Sequence, residues 1–348
     1  MSYPLIILGA GASYDSLDES QFPELADGMN GLAKFRPPVT SSIFNMSQFS
    51  TYIEKREYIS ELATSINAIV PHRRSFEDAL RNLHEKASQN NEIYKWLVSL
   101  RFYLAEVFSE ISEKYYKKVN NYREIINQIN INCGGSALVV NFNYDLLFEK
   151  NLSSIIDAKD PDNYIAGKLK IIKIHGACNW SYPASSILTP GNDFSIDDST
   201  SYFFDNAAKI GLQPGNEQRY IINPPHWRYQ FKHPPIHTDL YLPAIGLPIA
   251  NKSHFFVCPK THIDLLMEQL SQVDRVLVIG WKAGDQYLLD LMKQYLKKEI
   301  RAWIVNLKAS EKEISERYSD IPNLKLTLFN GGFNAFVKDG KVEDFLSF

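Results

Sequence analysis

Pro4-Leu5-Ile6-Ile7-Leu8-Gly9-Ala10-Gly11-Ala12-Ser13 is a short apolar run closed by a glycine-rich turn. An apolar run of this length, bounded by turn residues, predicts a buried strand. The small residues after it would let the backbone come close to a pyrophosphate. The dinucleotide fingerprint is incomplete: Tyr14 stands where a third Gly or Ala belongs, and no second strand with an acidic end follows about 20 residues on. A P-loop is excluded, since no Gly-Lys-Ser or Gly-Lys-Thr follows. Taken alone, the turn leaves two readings open, a phosphate cradle and a plain strand-to-helix turn.

Around that run the chain has ordinary globular composition. Its 348 residues carry 37 basic and 40 acidic side chains, a net charge of −3, which argues against affinity dominated by phosphate neutralisation. No stretch approaches the roughly 18 consecutive apolar residues of a membrane helix, and Met1–Pro4 leads straight into Leu5–Leu8 without a basic n-region or long h-region, so no secretory signal and a cytoplasmic location are expected. The three cysteines, Cys133, Cys178 and Cys258, are far apart and cannot form a four-thiolate zinc ribbon.

Periodicity divides the rest. Residues 14–38 read as a loop, with Thr40 a cap for the next helix. Residues 50–131 read as a helical insertion: Ile93, Leu97, Leu100, Leu104, Val107, Ile111 and Tyr115 recur at spacings of three and four. Strands are predicted at 137–140 and 170–174. Residues 181–250, rich in Pro, Asn, Asp and aromatics, read as an irregular lobe holding short strands or covering a substrate. Thr261 is the predicted opening of a helix, followed by a strand at 276–279, a helix at 285–297 and a strand at 302–305. A capping box at Ser310–Glu313 and a strand at 324–329 complete the pattern. Strands alternating with helices predict a doubly wound, mostly parallel, Rossmann-like α/β sheet within one domain spanning 1–348.

In such sheets ligands bind beyond the carboxyl ends of the strands. Polar or glycine clusters stand at five predicted ends: Gly9–Ser13, Asn143–Asp145, His175-Gly176, Gly280–Asp285 and Asn306. Asn143 and Asp145, two apart on an extended segment, face one side; a helix cap is the competing reading. His175 is either a structural histidine or a base that accepts a proton near neutral pH.

Together, LGAGAS, NFNYD, KIHG and IGWKAGD followed by VN resemble the sirtuin-like NAD-binding domain family, in matching order from about Pro4 to Asn306. FRPPVTSSIF, with Arg36, resembles the segment after the glycine loop in bacterial defence-associated members. The departures matter. Deacylating sirtuins carry a four-cysteine zinc module that three scattered cysteines cannot build. Their Gln-Asn-Ile-Asp is here Phe142-Asn143-Tyr144-Asp145, and their Gly-Thr-Ser is Gly280-Trp281-Lys282. The resemblance therefore implies a prokaryotic anti-phage NADase without metal. Such an enzyme hydrolyses NAD to nicotinamide and ADP-ribose, rather than acting as a deacylase. It implies that Gly9, Ala10, Gly11, Ala12, Ser13, Arg36 and Gly280 bind substrate, the turn residues at its phosphates. Asn143 would orient ribose and water, Asp145 would meet the carboxamide or developing charge, and His175 would accept a proton. Asp285 and Asn306 would support the adenosine end. A homo-oligomer and a partner such as a HerA-type ATPase are implied as well. A module that senses NAD or ADP-ribose without cleaving it is the alternative.

Two weaker features remain. His226, His233 and His237 lie in a Pro-rich stretch without ligand spacing, so a surface loop or partner contact is favoured over a metal site. The aromatics Tyr202, Phe203, Phe204, Trp227, Tyr229 and Phe231 lack a basic surround, which favours core packing over base stacking.

Overall fold

The computed structural model describes residues 2–16, 37–39, 42–44, 50–54, 57–70, 75–118, 121–183, 204–212, 219–223, 241–249 and 256–347. Arg36, Thr40, the three histidines at 226, 233 and 237, and every aromatic of the 202–231 group except Phe204 lie outside these residues. Strand β1 is Pro4–Leu8, buried along its whole length, as a strand covered on both faces must be. Parallel to it run β2 (Ala137–Asn141), β3 (Leu169–Ile172), β7 (Arg275–Ile279), β8 (Ile300–Asn306) and β9 (Leu324–Asn330), in the order β3-β2-β1-β7-β8-β9. Counting only strands of this sheet, the order is 3-2-1-4-5-6, that of dinucleotide-binding folds, with its switch between β1 and β7.

Alternation along the strands splits the interior in two. Ile6 and Leu8 join Val139, Leu277 and Ile279 on the face that packs against the segment between β1 and β2. Leu5 and Ile7 join Leu138, Val140, Val276 and Val278 on the other face. That second face is covered by helices Lys260–Leu270, Gln286–Tyr295 and Glu311–Tyr318. Ser310 caps the last of these as expected, its Oγ accepting from the Glu313 N–H at 3.1 Å. Thr261 does not open its helix. Pro259 holds the N-cap position, and the Thr261 hydroxyl instead donates to Asp162 at 2.8 Å.

Between β1 and β2 stand the helices Ser50–Glu54, Glu57–Ile69, Phe76–Ala87, Asn91–Tyr115 and Asn121–Cys133. Asn91–Tyr115 runs for 25 residues, and all seven apolar positions of its predicted stripe are buried. Its partner is a second sheet of β4 (Gly176–Pro183), β5 (Ile221–Ile222) and β6 (Tyr241–Ile245), antiparallel in the order β5-β4-β6. Of these, β5 and β6 fall within residues 181–250 and β4 falls mostly before them. β4 begins immediately after His175, with no turn signal long enough to announce it. Phe204 is buried, with its ring 4.9 Å from Tyr58, consistent with core packing. All three cysteines are buried free thiols. No helix among the described residues is long and apolar enough to cross a membrane.

His262 is buried where helix Lys260–Leu270 meets the turn at Pro161, with Nε2 3.0 Å from the Pro161 carbonyl and the ring edge-on to Trp180. Burial lowers its pKa from 6.5 to about 4. Between those values the unfolded chain binds a proton that the folded chain does not, so stability falls as pH drops through this interval, by about 3 kcal/mol. Urea denaturation from pH 7 to 4 is expected to show that loss, and His262→Gln, which keeps a donor, is expected to flatten it.

Candidate functional site

All six strands of the main sheet are parallel, so their carboxyl ends share one edge. A cavity of about 1030 Å³ opens there, walled on one side by the turns after β1, β2, β3, β7 and β8 and on the other by the helical segment. Of the residues singled out in the sequence, Gly9, Ala10, Gly11, Ser13, Asn143, Asp145, His175, Gly280, Asp285 and Asn306 all line it. Ala12 does not; it is fully buried in the core.

The glycines are explained first by packing. Gly280 takes φ +61°, and a Cβ on it would fall 2.2 Å from the Ala12 nitrogen. A Cβ on Gly9 or Gly11 would strike the backbone of Gly280 or Trp281 in turn. The turns after β1 and β7 thus touch backbone to backbone. Three amides of the turn are engaged within the protein: Gly9 N–H with the Ile279 carbonyl, Gly11 N–H with the Gly280 carbonyl, and Ala12 N–H with the Gly9 carbonyl. Any phosphate contact by this turn must use other groups.

Asn143 is buried beside the first helix. Its Nδ2 donates to Ser13 Oγ at 3.1 Å and to Tyr122 OH at 3.4 Å, while Ser13 and Tyr122 share a 2.9 Å hydrogen bond. With the amide nitrogen held this way, Asn143 Oδ1 is buried without a hydrogen-bond partner at the cavity wall. Tyr122 belongs to helix Asn121–Cys133, and burial pushes its phenol well above the usual value, so it remains protonated. Nothing in the local sequence marked it. Asp145 lines the cavity, and its Oδ1 accepts from the Leu147 N–H at 3.1 Å within the turn; it caps no helix, since the next one, Glu149–Asn151, has Phe148 at its N-cap.

His175 reaches the same wall by a different device. Gly176, at φ +75°, turns the chain so tightly that a Cβ there would lie 1.9 Å from the Ala244 carbonyl oxygen. The imidazole is 10% exposed, with Nε2 3.2 Å from Asp285 Oδ2. Asp285 caps helix Gln286–Tyr295, accepting from the Leu288 N–H through Oδ1, and its second oxygen is directed at the histidine. Ala283 in the connecting turn has φ +51°, uncommon for a residue with a Cβ and a form of strain that clusters at functional sites. Phe142 lies against His175 and stacks on Trp281 at 5.0 Å. Among the described residues no group of three or more His, Cys, Asp or Glu side chains converges as a metal site.

No family model matches the sequence, and no curated protein matches it either. Similar solved structures include a mutant Sir2 homologue in complex with 2'-O-acetyl ADP-ribose, at 13% identity over 99% of this chain and 94% of that chain, TM-score 0.43. Another is a Sir2 homologue–NAD complex, at 15% identity over 98% and 88% of the two chains, TM-score 0.40.

Burial raises the Asp145 carboxyl above its ordinary value of 3.8, against the opposing pull of the Lys173 ammonium. Between the ordinary and raised values the folded chain holds a proton that the unfolded chain has lost, so this group erodes stability as pH rises. Asp145→Asn is therefore expected to be more stable than the parent at pH 7, with the difference vanishing below 3.8. Urea titrations at both ends of the range check it; a deficit at pH 7 contradicts it.

Proposed function

We propose that the protein hydrolyses NAD to nicotinamide and ADP-ribose. One observation carries this: the His175–Asp285 pair and the unpartnered Asn143 Oδ1 line the same cavity at the switch point of a sheet with dinucleotide-binding strand order. The cavity is large for a small-molecule site, against roughly 300–1000 Å³ as the common range.

Its lining carries both cations and carboxylates, as a ligand with one anionic and one cationic part requires. Lys282 and Lys308 follow β7 and β8, and Arg317 lies on the helix between β8 and β9. Carboxylates line the cavity at Asp145 after β2, across the switch point, at Glu77 on the helical segment, at Asp15, and at Asp285, which is paired with His175. A pyrophosphate is favoured near the cations and a pyridinium near the acids.

Cleavage breaks the bond between the ribose carbon and the nicotinamide nitrogen. The bonding pair moves to that nitrogen and cancels its charge, while a water oxygen bonds to the carbon and gives up a proton. His175, donating Nε2–H to Asp285, presents Nδ1 as the basic position that takes the proton. Asn143 Oδ1 accepts from a ribose hydroxyl or from the attacking water. Asp145 lies on the side where positive charge develops. An enzyme of this kind depletes a central metabolite, so its activity must be gated, as in an anti-phage effector.

Protein incubated with NAD, purified or in extracts of phage-infected cells that supply a trigger, is expected to release nicotinamide and ADP-ribose in equal amounts, followed by chromatography. Asn143→Ala and His175→Ala are each expected to lower kcat by about 10²–10⁴, the usual contribution of a positioned proton acceptor or its equivalent. Asp285→Asn is expected to cost at least about tenfold by misorienting the imidazole. Full activity in either alanine variant removes its residue from the reaction. Calorimetric binding of NAD without products, even in extracts of phage-infected cells, would show a sensor instead.

A further inference from the structure

Beneath the cavity lies a group of charged side chains that the proposed chemistry does not use. Lys173 is 0% exposed, two residues before His175, and Glu149 is 3% exposed. The Lys173 Nζ donates to Glu149 Oε1 at 2.9 Å and to the Asp145 backbone carbonyl at 2.8 Å. Glu149 Oε1 also accepts from Asn141 Nδ2 at 3.0 Å, and Asn141 Oδ1 accepts from the Asn143 backbone N–H at 3.0 Å. One ammonium therefore holds the turn Asn143–Asp145 at both ends, directly at Asp145 and through Glu149 and Asn141 at Asn143.

We propose that Lys173 is a positioning residue whose buried charge clamps the Asn143–Asp145 turn to the segment that delivers His175, fixing the two reacting side chains relative to one another. This rests on the reading of Asn143 and His175 given above. Stability alone does not require the pair: removing two charges from water costs several kcal/mol, and well-packed apolar residues of similar volume are often equally stable. What apolar residues cannot supply is direction. The ammonium has three donors, and two of them end on the turn and on the residue that braces it. Glu149 in turn joins Lys173 to Asn141, so the link to Asn143 needs both partners while the link to Asp145 needs Lys173 alone.

Lys173→Met alone leaves Glu149 buried without its cation and is expected to lower Tm sharply, so the deciding variant is Lys173→Met with Glu149→Met. Its Tm is expected to return close to the parent value, while kcat for NAD falls by about a hundredfold, the scale of a reacting group displaced by roughly 1 Å. KM is expected to stay within about threefold, since neither residue lines the cavity. Amide hydrogen exchange at Asn143, which needs no substrate, is expected to accelerate at least about tenfold in the double variant as its acceptor is released. Parental kcat in a double variant of near-parental Tm overturns the proposal. If the parent protein does not cleave NAD even in extracts of phage-infected cells, the functional reading fails, and exchange then decides the clamp separately: unchanged protection at Asn143 overturns it, lost protection supports it.

Discussion

Two neighbouring parallel strands, β1 and β7, send their chains to opposite sides of the sheet, and the turns that follow must still pass each other. They do so with no side chain between them. The Gly11 N–H donates to the Gly280 carbonyl at 3.0 Å, and the Gly280 N–H donates to Val305 on the next strand at 3.0 Å. A methyl group at residue 9, 11 or 280 would fall within 2.8 Å of opposing backbone or side-chain atoms. This contact closes the floor of the crevice, sets where the first helix starts, and directs the 280–285 turn towards His175.

Onto that floor the molecule builds a site from three layers of differing chemistry. Nearest the cavity are Asn143, Asp145 and the His175–Asp285 pair. Behind Asn143 stand the hydroxyls of Ser13 and Tyr122, which hold its amide nitrogen and leave its oxygen to the cavity. Beneath lie Asn141, Glu149 and Lys173, buried and bonded in sequence. The helical segment contributes twice, once as the far wall through residues such as Phe108 and Glu77, and once through Tyr122. A displacement of helix Asn121–Cys133 would therefore be felt at Asn143, through the Tyr122 hydroxyl.

Much of this was legible in the sequence, for identifiable reasons. Strands buried on both faces must be continuously apolar, which made Pro4–Leu8 and Arg275–Ile279 visible. The long helix was visible because one face repeats every three or four residues. Site residues stood out because parallel strands leave polar and glycine clusters only at their ends. Three things were hidden. Thr261 resembled a cap, although capping depends on backbone geometry that Pro259 supplies instead. β4 carried no signal, because burial on both faces removes the alternation while Asn179 and Ser181 interrupt the apolar run, and no turn signal precedes its first glycine. Tyr122 reads as one aromatic on an amphipathic helix, since its hydroxyl partners lie 109 and 21 residues away.

By itself the sequence determined the class of the fold and singled out ten residues that the structure gathers around one cavity at the carboxyl edge of the sheet. Those follow from local periodicity and from the rule that strand ends carry function. The tertiary structure alone decided how those side chains are used. Asp285 meets His175, and the amides of Gly9, Gly11 and Ala12 are engaged by the protein's own carbonyls. Lys173 lies buried under the turn that holds Asn143. Each of these pairings joins segments whose spacing is set by strand order, and strand order is a property of packing that no local pattern encodes.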